Sequence, residues 1–362
     1  MKKALGLASR GAGRVHPNPL VGAVLVKNGR VIGAGAHEKF GGPHAEVVAI
    51  RNAKHAPSVD GTVAAGSTLY VTLEPCPHTG KTPPCTDLIL GEKIRKVVIA
   101  AKDPNPIVSG RGILALKKKG LSVLSGVLET EAVELNKDYN HWMRKKTPYT
   151  ILKFAQSLDG KIADSAGRSR WISSPASRAL AHKLRGQADA ILVGIHTVLK
   201  DDPLLSVRSA AYRGAQPLKV ILDSGLRLPL TARLFSKASP GAVLVATTAS
   251  ASNPKFEALR SKAEVIRFSS KNGRVDLAQV MRFLGKRGVV SLLIEGGAEV
   301  IADALAQKVA HEIYCFTAPI LLGGKKAPGS VGGRGFRLMN ALKLREVRIQ
   351  TVGKDLLVRG KI

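Results

Sequence analysis

Two successive series of alternating strand-like and helix-like segments run along this chain, and a basic run ending at Lys146, before Thr147-Pro148, divides them. Alternation of that kind packs helices over a largely parallel sheet, so the fold class is α/β. A chain of 362 residues also exceeds what one hydrophobic core usually organises, which predicts two domains, 1–146 and 147–362. In the first series, VGAVLVKNGRVIGAGAH carries a hairpin signal at Asn28-Gly29, and HAEVVAIRNAKH has helical apolar spacing. The strand TLYVTL follows, then a loop rich in Pro, Gly and Thr, another helix, the strand KVVIAAKD, the helix GILALKKKG closed by Gly120, and the strand LSVLSG. One polar helix is expected across LETEAVELNKDYNHWMRKK. The second series offers strands at YTILKFAQS, DAILVGI, LKVILD, AVLVATT, SLLIEGG and HEIYCFTAPI, and a terminal hairpin in LREVRIQTVGKDLLVRGKI. No repeat relates the halves.

Composition narrows the function classes. The formal net charge is +30, from 56 Lys and Arg against 26 Asp and Glu, and such a field draws acidic partners. Aromatics are only 4%, and no basic stripe alternates with stacking rings, which argues against nucleic acid and leaves phosphorylated small molecules. No apolar run approaches the roughly 20 residues of a membrane span. The start, MKKALGLASRG, breaks at Ser9, Arg10 and Gly11 before a signal-peptide core forms, so the expectation is a cytoplasmic protein without a membrane partner. Three cysteines, Cys76, Cys85 and Cys315, are too few and odd in number for a disulfide framework. Cys76 and Cys85 stand nine positions apart, which points to a metal or redox site, with two buried thiols as the bland alternative.

His44-Ala45-Glu46 opens a helix, Glu74-Pro75-Cys76 ends a strand, and Pro83-Pro84-Cys85 opens the next helix. A catalytic zinc needs three protein ligands and one open position for water, and His44, Cys76 and Cys85 meet that need. The prolines place Cys85 in a helix first turn, where the positive dipole end favours a thiolate. Zinc deaminases pair H-x-E with P-C-x-x-C, the Glu shuttling protons; on that pattern Glu46 is the shuttle and not a ligand. The spacing Cys-x8-Cys departs from it. His78 is open between a fourth ligand, a substrate contact and a surface residue. In His16-Pro17-Asn18-Pro19 two prolines fix the backbone and aim the Asn18 amide, either as an ordinary turn or to read a pyrimidine edge.

Taken in order, HPNPLVGAVLVKNGRVIGAGAH, GGPHAEVVAI, LYVTLEPCPHTGKTPPCTDLIL and KDPNPIVSGRGI resemble the deaminase half of the bifunctional deaminase/reductase family of riboflavin biosynthesis. The motifs KFAQSLDGKIA, SRWIS, LRGQADAILVGIHTVLKDDPLLSVR, VILDS and LLIEGGAEVIADAL are similar to the companion reductase, so the resemblance spans essentially the whole chain. It implies a cytidine-deaminase-like three-layer α/β/α domain followed by a dihydrofolate-reductase-like α/β domain. It also implies one zinc per chain, NADPH, a homo-oligomer, and a phosphorylated pyrimidine that is deaminated and then reduced from ribosyl to ribityl. Asn18 is thereby a substrate contact. Carried over onto this sequence, Ala155, Trp171, Thr197, Asp201, Ser224 and Gly297 line the cofactor, and Ser169, Arg185, Leu205, Arg208 and Glu295 hold the substrate.

The second half carries fewer residues whose chemistry announces a role. No G-x-G-x-x-G follows a strand, so a Rossmann cradle is not supported. Glu295-Gly296-Gly297 leaves bare amides at a helix N-terminus that suits a dinucleotide phosphate, although two glycines there also serve turn geometry alone. Arg185 and Arg208 are suited to fork onto phosphate oxygens, and Asp159 and Asp201 to orient hydroxyls. The reading from a different class, resting on the +30 charge, is an RNA-base deaminase with a basic nucleic-acid-binding C-terminal module.

Overall fold

The computed structural model describes residues 1–54, 63–80, 83–209, 212–250 and 252–362. His55 of the expected second helix and Lys81 and Thr82 of the motif HTGKTPPC lie outside the described residues. The chain divides into two compact units, Met1–Lys146 and Thr147–Ile362. Among the described residues no helix is long and apolar enough to cross a membrane.

In the first unit the order is α1 (Lys2–Ala8), β1 (Gly22–Lys27), β2 (Arg30–Ala36), α2 (Ala45–Lys54), β3 (Thr68–Leu73), α3 (Cys85–Gly91), β4 (Lys96–Ala101), α4 (Arg111–Lys118), β5 (Ser122–Ser125), α5 (Glu129–Leu135) and α6 (Lys137–Lys145). The sheet runs β2-β1-β3-β4-β5, with β1 antiparallel to β2 and β3, and β3 to β5 parallel. Asn28 and Gly29 both take positive φ, 50° and 74°, the type I′ geometry that a two-residue hairpin demands. One sheet face buries Leu25, Leu69, Val71, Val97 and Ile99 against Ala49, Ile50 and Ala53 of α2, Ile89 of α3 and Leu116 of α4. The other packs Leu73, Ala100 and Ala101 against Leu5 of α1 and Ala132 of α5, completing three layers. Gly35 lets α2 lie close: a Cβ there would stand 2.6 Å from the Ala49 nitrogen.

The polar helix expected from 128 to 146 is broken. Asn136 leaves helical geometry (φ −108°, ψ 25°) because its buried amide pairs with the Leu20 backbone, accepting from Leu20 N at 2.7 Å and donating to Leu20 O at 2.9 Å. Local hydrogen bonding of this kind competes with helix continuation.

The second unit runs β6 (Tyr149–Ser157), α7 (Pro175–Gln187), β7 (Ala190–Gly194), α8 (Ile195–Asp201), β8 (Leu218–Leu222), β9 (Val243–Thr247), α9 (Pro254–Arg260), β10 (Glu264–Arg267), the short ribbon β11 (Ser270–Lys271) and β12 (Arg274–Val275), α10 (Leu277–Lys286), β13 (Ser291–Ile294), α11 (Ala298–Ala306), β14 (Glu312–Ala318), β15 (Arg345–Val352) and β16 (Asp355–Lys361). Its nine strands are ordered β10-β9-β8-β7-β13-β6-β14-β16-β15, parallel from β10 to β14, with β16 antiparallel to both neighbours. After β6 the chain steps outward through β7 to β10, then returns to insert β13 between β7 and β6. That reversal opens a crevice at the carboxyl ends, where ligands bind in open α/β sheets. The central strands are buried on both faces: Leu192 packs with α10 and α11, while its neighbours Ile191 and Val193 pack with α7, α8 and α9. Each such side chain contributes roughly 1.5–3 kcal/mol.

Candidate active sites

In the first unit β1 begins, and β2, β3 and β4 end, at the same edge of the sheet. Onto that edge fall Asn18 before β1, His37 after β2, Glu74 and Cys76 after β3, and Asp103 after β4, together with the first turn of α2 and the start of α3. Asn18, His37, His44, Glu46, Glu74, Cys76, His78 and Asp103 line a cavity of about 250 Å³ there.

His44, Cys76 and Cys85 offer ligand atoms that all lie within 4.8 Å of one another. His44 Nδ1 stands 3.2 Å from Cys85 Sγ and 3.7 Å from Cys76 Sγ, and the Cys85 backbone N–H donates to Cys76 Sγ at 3.5 Å. Tetrahedral zinc with these bond lengths separates its nitrogen and sulfur ligands by roughly 3.5–3.8 Å, so the donor set fits the ion. Side-chain pairing with Cys85 pulls the Cys76 thiol down to about 4, while that pairing and burial push the Cys85 thiol up. Glu46, 4% exposed, has its carboxyl pushed up by burial. His78 lines the cavity outside the three-ligand cluster, and its Nδ1 is buried without a hydrogen-bond partner.

Several residues that the sequence did not single out shape this cavity. Asn18 Nδ2 lies 3.1 Å from His37 Nε2, the other ring nitrogen of His37 lies 3.0 Å from Pro43 O, and the His37 ring stands edge-on to His44 at 5.5 Å. The Glu74 carboxylate accepts from the backbone N–H groups of Asp103, Gly110 and Ile113 at 3.3, 2.8 and 3.1 Å. Burial raises the Asp103 carboxyl to about 6, and the Tyr139 hydroxyl donates to it at 3.0 Å.

In the second unit Ala155, Thr197, Ser224, Glu295 and Gly297 lie in or just after β6, β7, β8 and β13, whereas Arg185 comes from α7 and Leu205 and Arg208 from the segment between α8 and β8. Arg185, near the end of α7, donates through Nε and Nη2 to the two Glu295 oxygens at 2.5 and 2.8 Å, and through Nη1 to Ser206 O at 3.3 Å. Its fork is thus spent on Glu295 and the backbone beside Leu205, whose φ is +54°. Arg208 Nη2 lies 3.4 Å from His182 Nε2. Burial would raise the Glu295 carboxyl, yet the Arg185 guanidinium, with Lys153 Nζ 3.9 Å away, holds it at about 2. Burial and the nearby Arg185 and Arg208 pull His182 down to about 4. Lys153 and His182 are members of this cluster that carried no sequence signal beyond lying in a strand and a helix.

The Ser169 hydroxyl donates to Asp201 at 3.1 Å, and Arg170 donates to the Asp201 carbonyl. Trp171 is 69% exposed, with the Arg178 guanidinium 4.4 Å from its ring centre. Gly297 caps α11 without a side-chain cap, and a Cβ on it would stand 3.5 Å from Thr197 Oγ1. Gly296 takes φ +89° with open space where a Cβ would sit, so the uncapped amides present a bare cradle that fits a dinucleotide phosphate. Ala155 sits in β6 opposite Phe316, and the Ser224 hydroxyl accepts from Val275 N at 3.2 Å. Asp159 accepts from the Ser157 hydroxyl and from Leu322 and Gly323 N–H, which hold it at about 2 and tie it to the segment after β14.

Residues 148–358 match the RibD C-terminal domain, and residues 1–101 match the cytidine and deoxycytidylate deaminase zinc-binding region. The riboflavin biosynthesis protein RibD of Aquifex aeolicus (strain VF5) is 41% identical over 359 residues, covering 99% of this chain and 96% of that protein. The chain belongs to the RibD family. The RibD of Actinobacillus pleuropneumoniae is 40% identical over 360 residues, 99% of this chain and 93% of its own length. A crystal structure of a Thermotoga maritima diaminohydroxyphosphoribosylaminopyrimidine deaminase/5-amino-6-(5-phosphoribosylamino)uracil reductase superposes with TM-score 0.88 at 38% identity, covering 100% of this chain and 97% of that one. Like the rest of the RibD family, the chain joins a cytidine-deaminase-like fold to a dihydrofolate-reductase-like one. It is a bifunctional enzyme of riboflavin biosynthesis, a zinc deaminase and an NADPH-dependent reductase.

Proposed function

We propose that residues 1–146 deaminate 2,5-diamino-6-(5-phosphoribosylamino)pyrimidin-4(3H)-one to the aminouracil, and that residues 147–362 then reduce its ribosyl side chain to ribityl phosphate with NADPH. The observation that carries the first half is the clustering of the His44, Cys76 and Cys85 donor atoms beside a cavity that His44, Cys76 and the buried Glu46 line. His44, Cys76 and Cys85 would hold a zinc ion, which when bound would supply Lewis-acid activation of a water molecule. Glu46 takes a proton from the attacking water and delivers it to the pyrimidine and the departing amine, so that water and an amine become a carbonyl and ammonia. Asn18 reads the pyrimidine edge.

For the second half, Ala155, Trp171, Thr197, Asp201, Ser224 and Gly297 position the cofactor, and Ser169, Leu205, Arg208 and Glu295 the substrate. Arg185 acts through Glu295, whose charge it fixes, and Arg208 is the guanidinium left to meet the phosphate. NADPH when bound would supply the hydride, so these side chains orient and polarise. The substrate is a small phosphorylated pyrimidine, for which a cavity of about 250 Å³ and the +30 charge are suited. A cytoplasmic location rests on the sparse, unpaired cysteines, and homo-oligomerisation on the family resemblance. The RNA-base deaminase with a basic C-terminal module is not favoured, because residues 148–358 match a reductase domain instead.

Glu46→Gln tests the division of labour. Ammonia release should be abolished while NADPH oxidation with deaminated substrate persists; loss of both activities in a folded variant contradicts separate sites.

A further inference from the structure

The break between α5 and α6 does more than end a helix. Within four residues, Tyr139 lines the deaminase cavity, while Asn136 and Asp138 hold Leu20 and His16 on either side of the cavity-lining Asn18. Asn136 pairs with both backbone groups of Leu20, and Asp138 Oδ2 meets His16 Nε2 at 3.2 Å. The segment 16–20 is therefore fastened at both ends, with Asn18 between the fasteners. Tyr139 then donates to Asp103 at 3.0 Å, on the segment after β4 that Glu74 ties down from the opposite side. Asn136 is 2% exposed and Tyr139 3%, so these bonds form where water does not compete.

We propose that Asn136, Asp138 and Tyr139 are positioning residues of the deaminase, setting Asn18 and Asp103 in place around the cavity that holds His44 and Glu46. Asn18 continues the chain through His37, whose ring abuts the His44 ring. A helix running unbroken through 136 would carry no amide to Leu20, and the segment bearing Asn18 would lose its fastening on that side. The inference rests on the reading of Asn18 as a substrate contact.

The test uses full-length, zinc-loaded enzyme and follows ammonia release, zinc content and NADPH oxidation with deaminated substrate. Asn136→Ala should raise the deaminase KM about tenfold, as expected for losing two buried hydrogen bonds, with kcat, zinc content and reductase rate near the parent values. Asn18→Ala should raise KM similarly, and the double variant should be no worse than the worse single one. Tyr139→Phe, which removes one oxygen and keeps the ring, should raise KM about threefold and keeps the test open if Asn136→Ala yields no folded protein. An unchanged KM in folded Asn136→Ala or Tyr139→Phe overturns the inference. A raised KM in Asn18→Ala with additive losses in the double variant overturns it alone, whereas a normal KM in Asn18→Ala removes the substrate-contact reading and the inference with it.

Discussion

The two units place their chemistry at the same kind of edge, where parallel strands end, but assemble it differently. In the first, the reactive groups are a thiol pair, an imidazole and a carboxylate drawn from 44 to 85, and their identities announce their task. In the second, the residues span 155 to 297, and much of what they supply is backbone: an uncapped helix start and two glycines. A metal site states its donors in the sequence because few other residue types can serve. A cofactor cradle made of amide groups does not, because nearly any residue carries them.

Four outcomes would sharpen or break that contrast. The largest effect belongs to Cys76→Ala, which should lose its zinc by elemental analysis and slow ammonia release by roughly a thousandfold or more, with NADPH oxidation retained. Retained zinc would mean that the side-chain site is not as self-contained as described. Next comes Glu295→Gln, which leaves Arg185 buried without its counter-charge and should cost about 3 kcal/mol of stability as well as the reductase rate. The pH dependence has a defined sign. Because the folded carboxyl sits at about 2 against an ordinary 4.5, its contribution is complete above about pH 4.5 and drains as pH falls toward 2. Urea unfolding of the reductase unit at pH 7 and pH 3 should therefore show the variant's deficit shrinking in acid, and a constant deficit would refute the pairing.

Gly297→Ala is smaller. Its φ of −69° suits alanine and the added methyl meets Thr197 at ordinary contact distance, so the unit should fold. The methyl nonetheless crowds the backbone cradle, and NADPH affinity by fluorescence titration should fall about tenfold; undiminished affinity would place the phosphate elsewhere. The smallest is Gly29→Ala, which forces a Cβ onto φ +74° and should cost about 1 kcal/mol in thermal unfolding with both activities unchanged.

Much of the fold was legible because strand and helix periods differ: TLYVTL and YTILKFAQS coincide with β3 and β6 residue for residue. Amphipathic signals too short to register hid α1, β10 and the β11–β12 ribbon. The break at Asn136 was illegible for another reason, since its cause is Leu20, 116 positions away. Likewise Lys219 stands inside the apolar run LKVILD, and nothing in that run points to its partners. In the structure it is fully buried, donating to Leu234 O at 3.0 Å and to both oxygens of Ser239, and burial pulls its ammonium down to about 8. His37 and Asp103 stood inside motifs that were noticed, HPNP…GAGAH and DPNP, but only the fold shows that both segments end at one cavity.

Because reactive groups crowd the carboxyl ends of the strands, the opposite rims are free for other uses. The Asn28-Gly29 bend and the turn at Gly288 each have room beside their glycine and lie at strand ends remote from the chemistry of their own sheet. Fluorophores or surface tethers attached at those two bends would report on each half of the enzyme while it works.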